Sequence, residues 1–130
     1  MSKKRQRTDH WKEEPEEHDF PAAADYLSLL FPEPVSASIV DELRAASTVS
    51  RKAKDLMRAS RLPLLPIDDP QVAKDLKRVT RGELLSPVLL VRGKAAAGLA
   101  LTVADGYHRI CAGYHLDEDA DIPCRIAELP

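Results

Sequence analysis

Read by its apolar spacing, the chain changes grammar near its middle. Pro21 opens a helical stretch, Ala22 to Phe31, that Pro32 and Pro34 stop. Ser36 or Ser38 then caps a second helix with Ile39, Val40 and Leu43 along one side. Ser47, Thr48 and Ser50 allow a break or a bend, and helical periodicity returns from Ser50 to Arg61, where Ala53, Leu56, Met57 and Ser60 make a narrow apolar face. From Leu62 onward the pattern becomes one of alternating strands and helices. Leu62 to Pro66 reads as a short edge strand or extended lead-in, because prolines cannot donate to a ladder. Asp68 or Asp69 caps the next helix, Pro70 occupies its first turn, Val72, Leu76 and Val79 form its buried side, and Gly82 ends it. Leu85 to Val91 is nearly all apolar, as a strand covered on both faces should be. Gly93 to Gly98 makes a loop, after which Leu99, Leu101 and Val103 alternate with Ala100, Thr102 and Ala104. A helix over Tyr107 to His115 follows, then an acidic loop, Asp117 to Asp121, and a last strand over Ile122 to Leu129.

This order predicts an α/β (α+β) chain, a small mixed sheet flanked by helices, with an N-terminal helical extension. Three regions are expected: a flexible tail over 1–20, helices over 21–60 and the core over 61–130. The tail runs basic, then acidic, with little to bury against the entropy of ordering; only Trp11 there wants a partner.

Composition narrows the function classes. The 130 residues are 44% hydrophobic and 31% charged, an ordinary globular balance for about one domain. A net charge of −2 argues against nucleic-acid binding by bulk positive charge, though a local patch stays open. No apolar run approaches the length of a membrane span, and acidic residues from Asp9 to Asp19 stand where a secretory signal would be apolar, so a cytoplasmic protein is expected. The two cysteines, Cys111 and Cys124, have neither metal-type nor redox-type spacing and read as buried reduced thiols.

Candidate chemistry concentrates in Asp105-Gly106-Tyr107-His108-Arg109, between a strand-like and a helix-like segment. Glycine permits a sharp turn, and the helix that follows presents unpaired amides and the positive end of its dipole, a natural seat for a phosphate. His108 and Arg109 would add charge-assisted hydrogen bonds. Asp105 either caps the helix or positions a metal ion or reacting hydroxyl; Tyr107 either packs over the turn or stacks on a base. The acidic loop lacks the glycine and distant glutamate of a calcium loop, and no metal site is expected. Two basic rows offer a separate surface: Arg51, Lys54, Arg58 and Arg61 on one helical face, and Lys74, Lys77, Arg78 and Arg81 on another. Either they face solvent or they contact a nucleic-acid backbone.

The succession of a helix, Leu84-Leu85-Ser86-Pro87-Val88-Leu89-Leu90-Val91, a second strand, Asp105-Gly106-Tyr107-His108-Arg109, a helix with Cys111-Ala112 and a strand through Ile122-Pro123-Cys124-Arg125 resembles the core of the ParB/sulfiredoxin superfamily over about residues 61–130. The resemblance implies a sheet flanked by helices that binds nucleotide phosphates at the turn, Gly106, His108 and Arg109 being the matching positions. Sulfiredoxins carry their catalytic cysteine where this chain has Tyr107, so sulfinic acid reduction is not implied. Partition proteins carry more arginines at the turn, and here Arg109 alone is kept. Another branch resembles kinases that phosphorylate free serine. The expectation is a nucleotide- or phosphate-binding domain, with magnesium accompanying a nucleotide and phosphoryl transfer or nucleotide hydrolysis as the reaction class, in which Asp105 and His108 are the candidate catalytic residues. Two alternatives stand beside it: a DNA-associated accessory protein, and a non-enzymatic regulatory module acting through a protein partner or a second copy of the chain.

Overall fold

The computed structural model describes residues 10–130. Its order is α1 (Asp19–Leu27), α2 (Glu33–Ala45), β1 (Val49–Lys52), α3 (Ala53–Ser60), α4 (Pro70–Thr80), β2 (Val88–Val91), β3 (Thr102–Asp105), α5 (Tyr107–Leu116) and β4 (Asp121–Ala127), with a single short 3-10 turn at Ala95–Ala97. The mixed α/β class expected from the sequence is the one observed. The four strands lie in the order β1-β4-β2-β3. β2 and β4 are parallel, and the two outer pairs are antiparallel.

Helices cover both faces of this sheet. On one, Phe20, Ala23 and Leu27 of α1 and Ile39, Val40 and Leu43 of α2 pack with Leu89, Val91, Ala104 and Ala127. On the other, Ala53, Leu56 and Met57 of α3, Val72 of α4 and Ile110, Cys111 and Ala112 of α5 close over Val88, Leu90, Val103, Ile122 and Cys124. Two covered faces explain why all four residues of β2 are buried and why its sequence is unbroken Val-Leu-Leu-Val.

This arrangement corrects the expected division of the chain. Residues 21–60 are not an extension, since α1 and α2 form one of the two helical layers and β1 belongs to the sheet, with Val49 opposite Cys124 and Lys52 opposite Asp121. Of the expected tail, residues 1–9 lie outside the described residues, while 10–20 are packed. Residues 10–18 run as a strap along the start of β2. Trp11 is buried and bridges to Leu85, through hydrogen bonds from Lys12 N to Leu85 O and from Leu85 N to His10 O, both 2.7 Å. The indole leans on Gly113 of α5, where an added Cβ would stand 3.4 Å from Trp11 Cζ2 and 2.9 Å from Ile122 Cδ1. Further along the strap, Glu14 pairs with the buried Arg125, whose Nη1 also donates to Leu43 O (3.2 Å) and Arg44 O (2.9 Å) at the end of α2. A guanidinium there neutralises carbonyls that the helix leaves unpaired.

Local details depart from expectation for similar reasons. Val49–Lys52 is strand rather than the start of a helix, because its pairing with β4 outweighs a helical pattern. Leu62 to Pro66 forms no strand. Neither Ser36 nor Ser38 caps α2: Pro32 holds the N-cap position and buried Ser36 donates to Phe31 O inside the first turns. At α4 the sequence signals hold, Asp69 Oδ2 accepting from the amides of Gln71 and Val72 at 3.1 Å each, with Pro70 beginning the helix.

Candidate functional site

The chemistry gathers at the carboxyl end of β3. The β2–β3 register places Leu90 opposite Val103 but Leu89 opposite Asp105, so Ala104 is an extra residue without a counterpart. Such a bulge re-aims the side chain that follows it. Gly106 comes next at φ 110°, a conformation that costs side-chain-bearing residues several times what it costs glycine. An added Cβ there would also lie 2.9 Å from Val88 Cβ. Glycine is therefore demanded twice, by the backbone and by the close approach of β2.

α5 starts at once, and no side chain caps its first amides. The contrast with α4, whose amides are taken by Asp69, is direct. Asp105 is not a cap: its carboxylate turns to Arg109, 2.5 Å from Nη2. The turn over Gly106 to Arg109 instead lines a cavity of about 270 Å³. Its opposite walls come from the strap and α1, through Glu16, His18 and Asp19, and from α4, through Gln71, Asp75 and Arg78.

Arg109 differs most from expectation. Read from sequence as the residue that grips phosphate, it is largely committed to the protein: Nη1 donates to Ser86 O at 2.7 Å and Pro87 O at 3.4 Å, Nη2 pairs with Asp105, and Asp19 Oδ2 lies 3.8 Å from Nη1. It fastens the turn to the start of β2. Tyr107 is tethered as well, its hydroxyl donating to Pro63 O at 2.5 Å, while its ring lies 5.4 Å from that of His108. His108, half-buried on the first turn of α5, lines the cavity with its ring beside that of Tyr107.

The cavity holds more acid than base. Glu16, Asp19, Asp75 and Asp105 contribute four carboxyls against the two guanidiniums of Arg78 and Arg109. Burial pushes the Asp105 carboxyl above its ordinary value, with neighbouring Asp19 adding to the rise and Arg109 opposing it. Burial likewise raises Asp75, against the pull of Arg109 and Arg78. Arg78 Nη1 sits 3.7 Å from Asp75 and its Nε 3.6 Å from Glu83. Asp19 accepts from Ser86 Oγ and, at 3.0 Å, from the Glu16 amide.

Sequence reasoning missed Asp19, Ser86 and Asp75. Asp75 had a readable signal: it lies three residues after Val72, on the stripe that Val72, Leu76 and Val79 bury, where a charge without purpose is costly. Asp19 and Ser86 had none, since 67 residues separate the two partners.

Among the described residues no group of three or more His, Cys, Asp or Glu is placed to hold a metal ion. The basic rows do not form one stripe. Arg51 is on β1, Lys54 pairs with Asp119 at 2.7 Å, and Arg58 and Arg61 are exposed around the end of α3. Lys74, Lys77 and Arg81 are exposed along and just past α4, while Arg78 turns to the cavity; α3 and α4 each pack on α5. Both cysteines are free and buried, and burial pushes the Cys124 thiol up to about 11. No helix among the described residues is long and apolar enough to cross a membrane.

Comparison with known proteins finds no matching family model, no matching curated protein and no matching solved structure.

Proposed function

We propose that the turn from Asp105 to Arg109 binds the phosphate of a small phosphorylated ligand, a nucleotide being the leading class, in a domain similar to the ParB/sulfiredoxin core. One observation carries the reading: the first turn of α5 lines a cavity with its amides uncapped by any side chain. Tyr107 and His108 supply the amides and the helix dipole supplies the field. His108 adds a side-chain donor, and Arg78 a guanidinium on the facing wall. A volume of about 270 Å³ suits a phosphate or a short phosphate ester and leaves most of a nucleoside outside.

The suited reaction class is phosphoryl transfer or nucleotide hydrolysis, which depends mainly on positioning and charge. In this scheme Asp105, its proton affinity raised by burial, takes the proton of an attacking hydroxyl, and His108 donates to the leaving oxygen. Asp105 would be the protein carboxylate beside a magnesium ion that a nucleotide's phosphates carried, and such an ion would supply neutralisation of phosphate charge. Arg109 holds the turn in place and does not grip the ligand.

Calorimetric titration with nucleoside mono-, di- and triphosphates, with and without magnesium, tests the proposal. The expected result is saturable binding that weakens by about tenfold in His108→Ala, the loss of one charge-assisted hydrogen bond. Folded protein that binds none of these phosphates would overturn it.

A further inference from the structure

The junction of the strap with α1 brings a carboxylate, Asp19, to the wall of the cavity that the α5 turn lines. Asp19 Oδ2 accepts from the Ser86 hydroxyl and the Glu16 amide and lies 3.8 Å from Arg109 Nη1, so a carboxylate of this chain already takes a hydroxyl and an amide donor beside a guanidinium at the cavity wall. We propose that Asp19, the first residue of α1, competes with the phosphate ligand for the positive field of Arg109 and the α5 turn, and that binding displaces it together with the adjoining end of the strap. This rests on phosphate binding at the α5 turn, whose regulation it describes.

Charge supplies the driving force. Arg109 already pairs with Asp105, so Asp19 is the second carboxylate on one guanidinium, and a phosphate at the adjoining amides would be a third anion. The strap between its buried Trp11 and the start of α1 is held mostly by surface pairs. Trp11 and Phe20 are buried, and between them only Glu16 and Asp19 bond to the buried Ser86; the remaining side-chain pairs involve exposed or half-exposed groups, Lys12 with Glu16, Glu17 with Arg44, and His18 near Glu16 and Asp19 at 3.4 and 3.5 Å. Such pairs hold a segment weakly. Glu14 is itself exposed although its partner Arg125 is buried.

Asp19→Asn is the decisive variant, because an amide oxygen keeps the bonds from Ser86 and Glu16 while removing the charge. Titration with inorganic phosphate compares it with the unaltered protein and with Glu17→Gln, which removes a charge from the outer side of the same strap. The expected result is phosphate binding on the order of tenfold tighter in Asp19→Asn, with Glu17→Gln within about twofold of the unaltered protein. Hydrogen exchange supplies a second reading: in the unaltered protein the Glu16 amide, bonded to Asp19, should exchange faster when phosphate is saturating. Equal or weaker binding in Asp19→Asn, or an equal gain in Glu17→Gln, would overturn the competitor role while leaving phosphate binding intact. No binding of phosphate or any nucleotide by any of the three proteins would overturn both.

Discussion

Asp75 carries a carboxyl into the seam between α4 and α5, where it is 2% exposed. Burial holds its proton more tightly in the folded protein than in the unfolded chain. The ionised form therefore opposes folding at neutral pH, and the opposition fades as pH falls through the raised folded value into the ordinary carboxylate range. Asp75→Asn, which mimics the protonated side chain, should raise the urea midpoint near pH 7 relative to the unaltered protein. The gain should shrink toward about pH 3. A gain that grew on acidification would contradict the assignment. Gly106 supplies a second residue-scale test: Gly106→Ala must adopt a φ of 110° and push against Val88. Denaturant unfolding should show a loss of roughly 2–5 kcal/mol, strain and overpacking together.

At the scale of elements, the strap and the α5 turn depend on each other. Trp11 seals the far side of α5 at Gly113, and Asp19 meets Arg109 at its start. Trp11→Ala should cost about 3–5 kcal/mol in denaturant unfolding, an ordinary core truncation; a change below 1 kcal/mol, about the size of a surface effect, would mean the strap is not fastened. Elements with local punctuation were legible from sequence. Asp69-Pro70 and Gly82 bracket α4, and Asp105-Gly106 marks the start of α5. Elements made by distant partners were not. β1 is strand because Val49–Lys52 meets β4, and nothing within those four mostly exposed residues says so. The same holds for Arg109, whose side chain reads as a free cation until Ser86, Pro87 and Asp19 are brought to it.

At the scale of the whole molecule, the sheet needs both helical layers. The expected boundary near residue 60 would strip α1, α2, β1 and α3 from the fold, exposing Leu89, Val91, Ala104 and Ala127 on one face and uncovering part of the other. A fragment of residues 61–130 should show no cooperative thermal transition, and a sharp one would restore the boundary. The cavity spans the same division, with walls from the strap and α1, from α4 and from the α5 turn. A site shared between layers explains why its acids were scattered in sequence while its turn was contiguous.

The central claim is that the uncapped amides at the start of α5 receive phosphate. Backbone amide NMR shifts during titration with a nucleoside diphosphate and magnesium test it most directly. The amides of Tyr107 and His108 should move most and saturate together, ahead of those of Gln71 and Val72, which Asp69 already occupies. Saturable binding that left Tyr107 and His108 unmoved, or the absence of any shift in folded protein, would contradict the account.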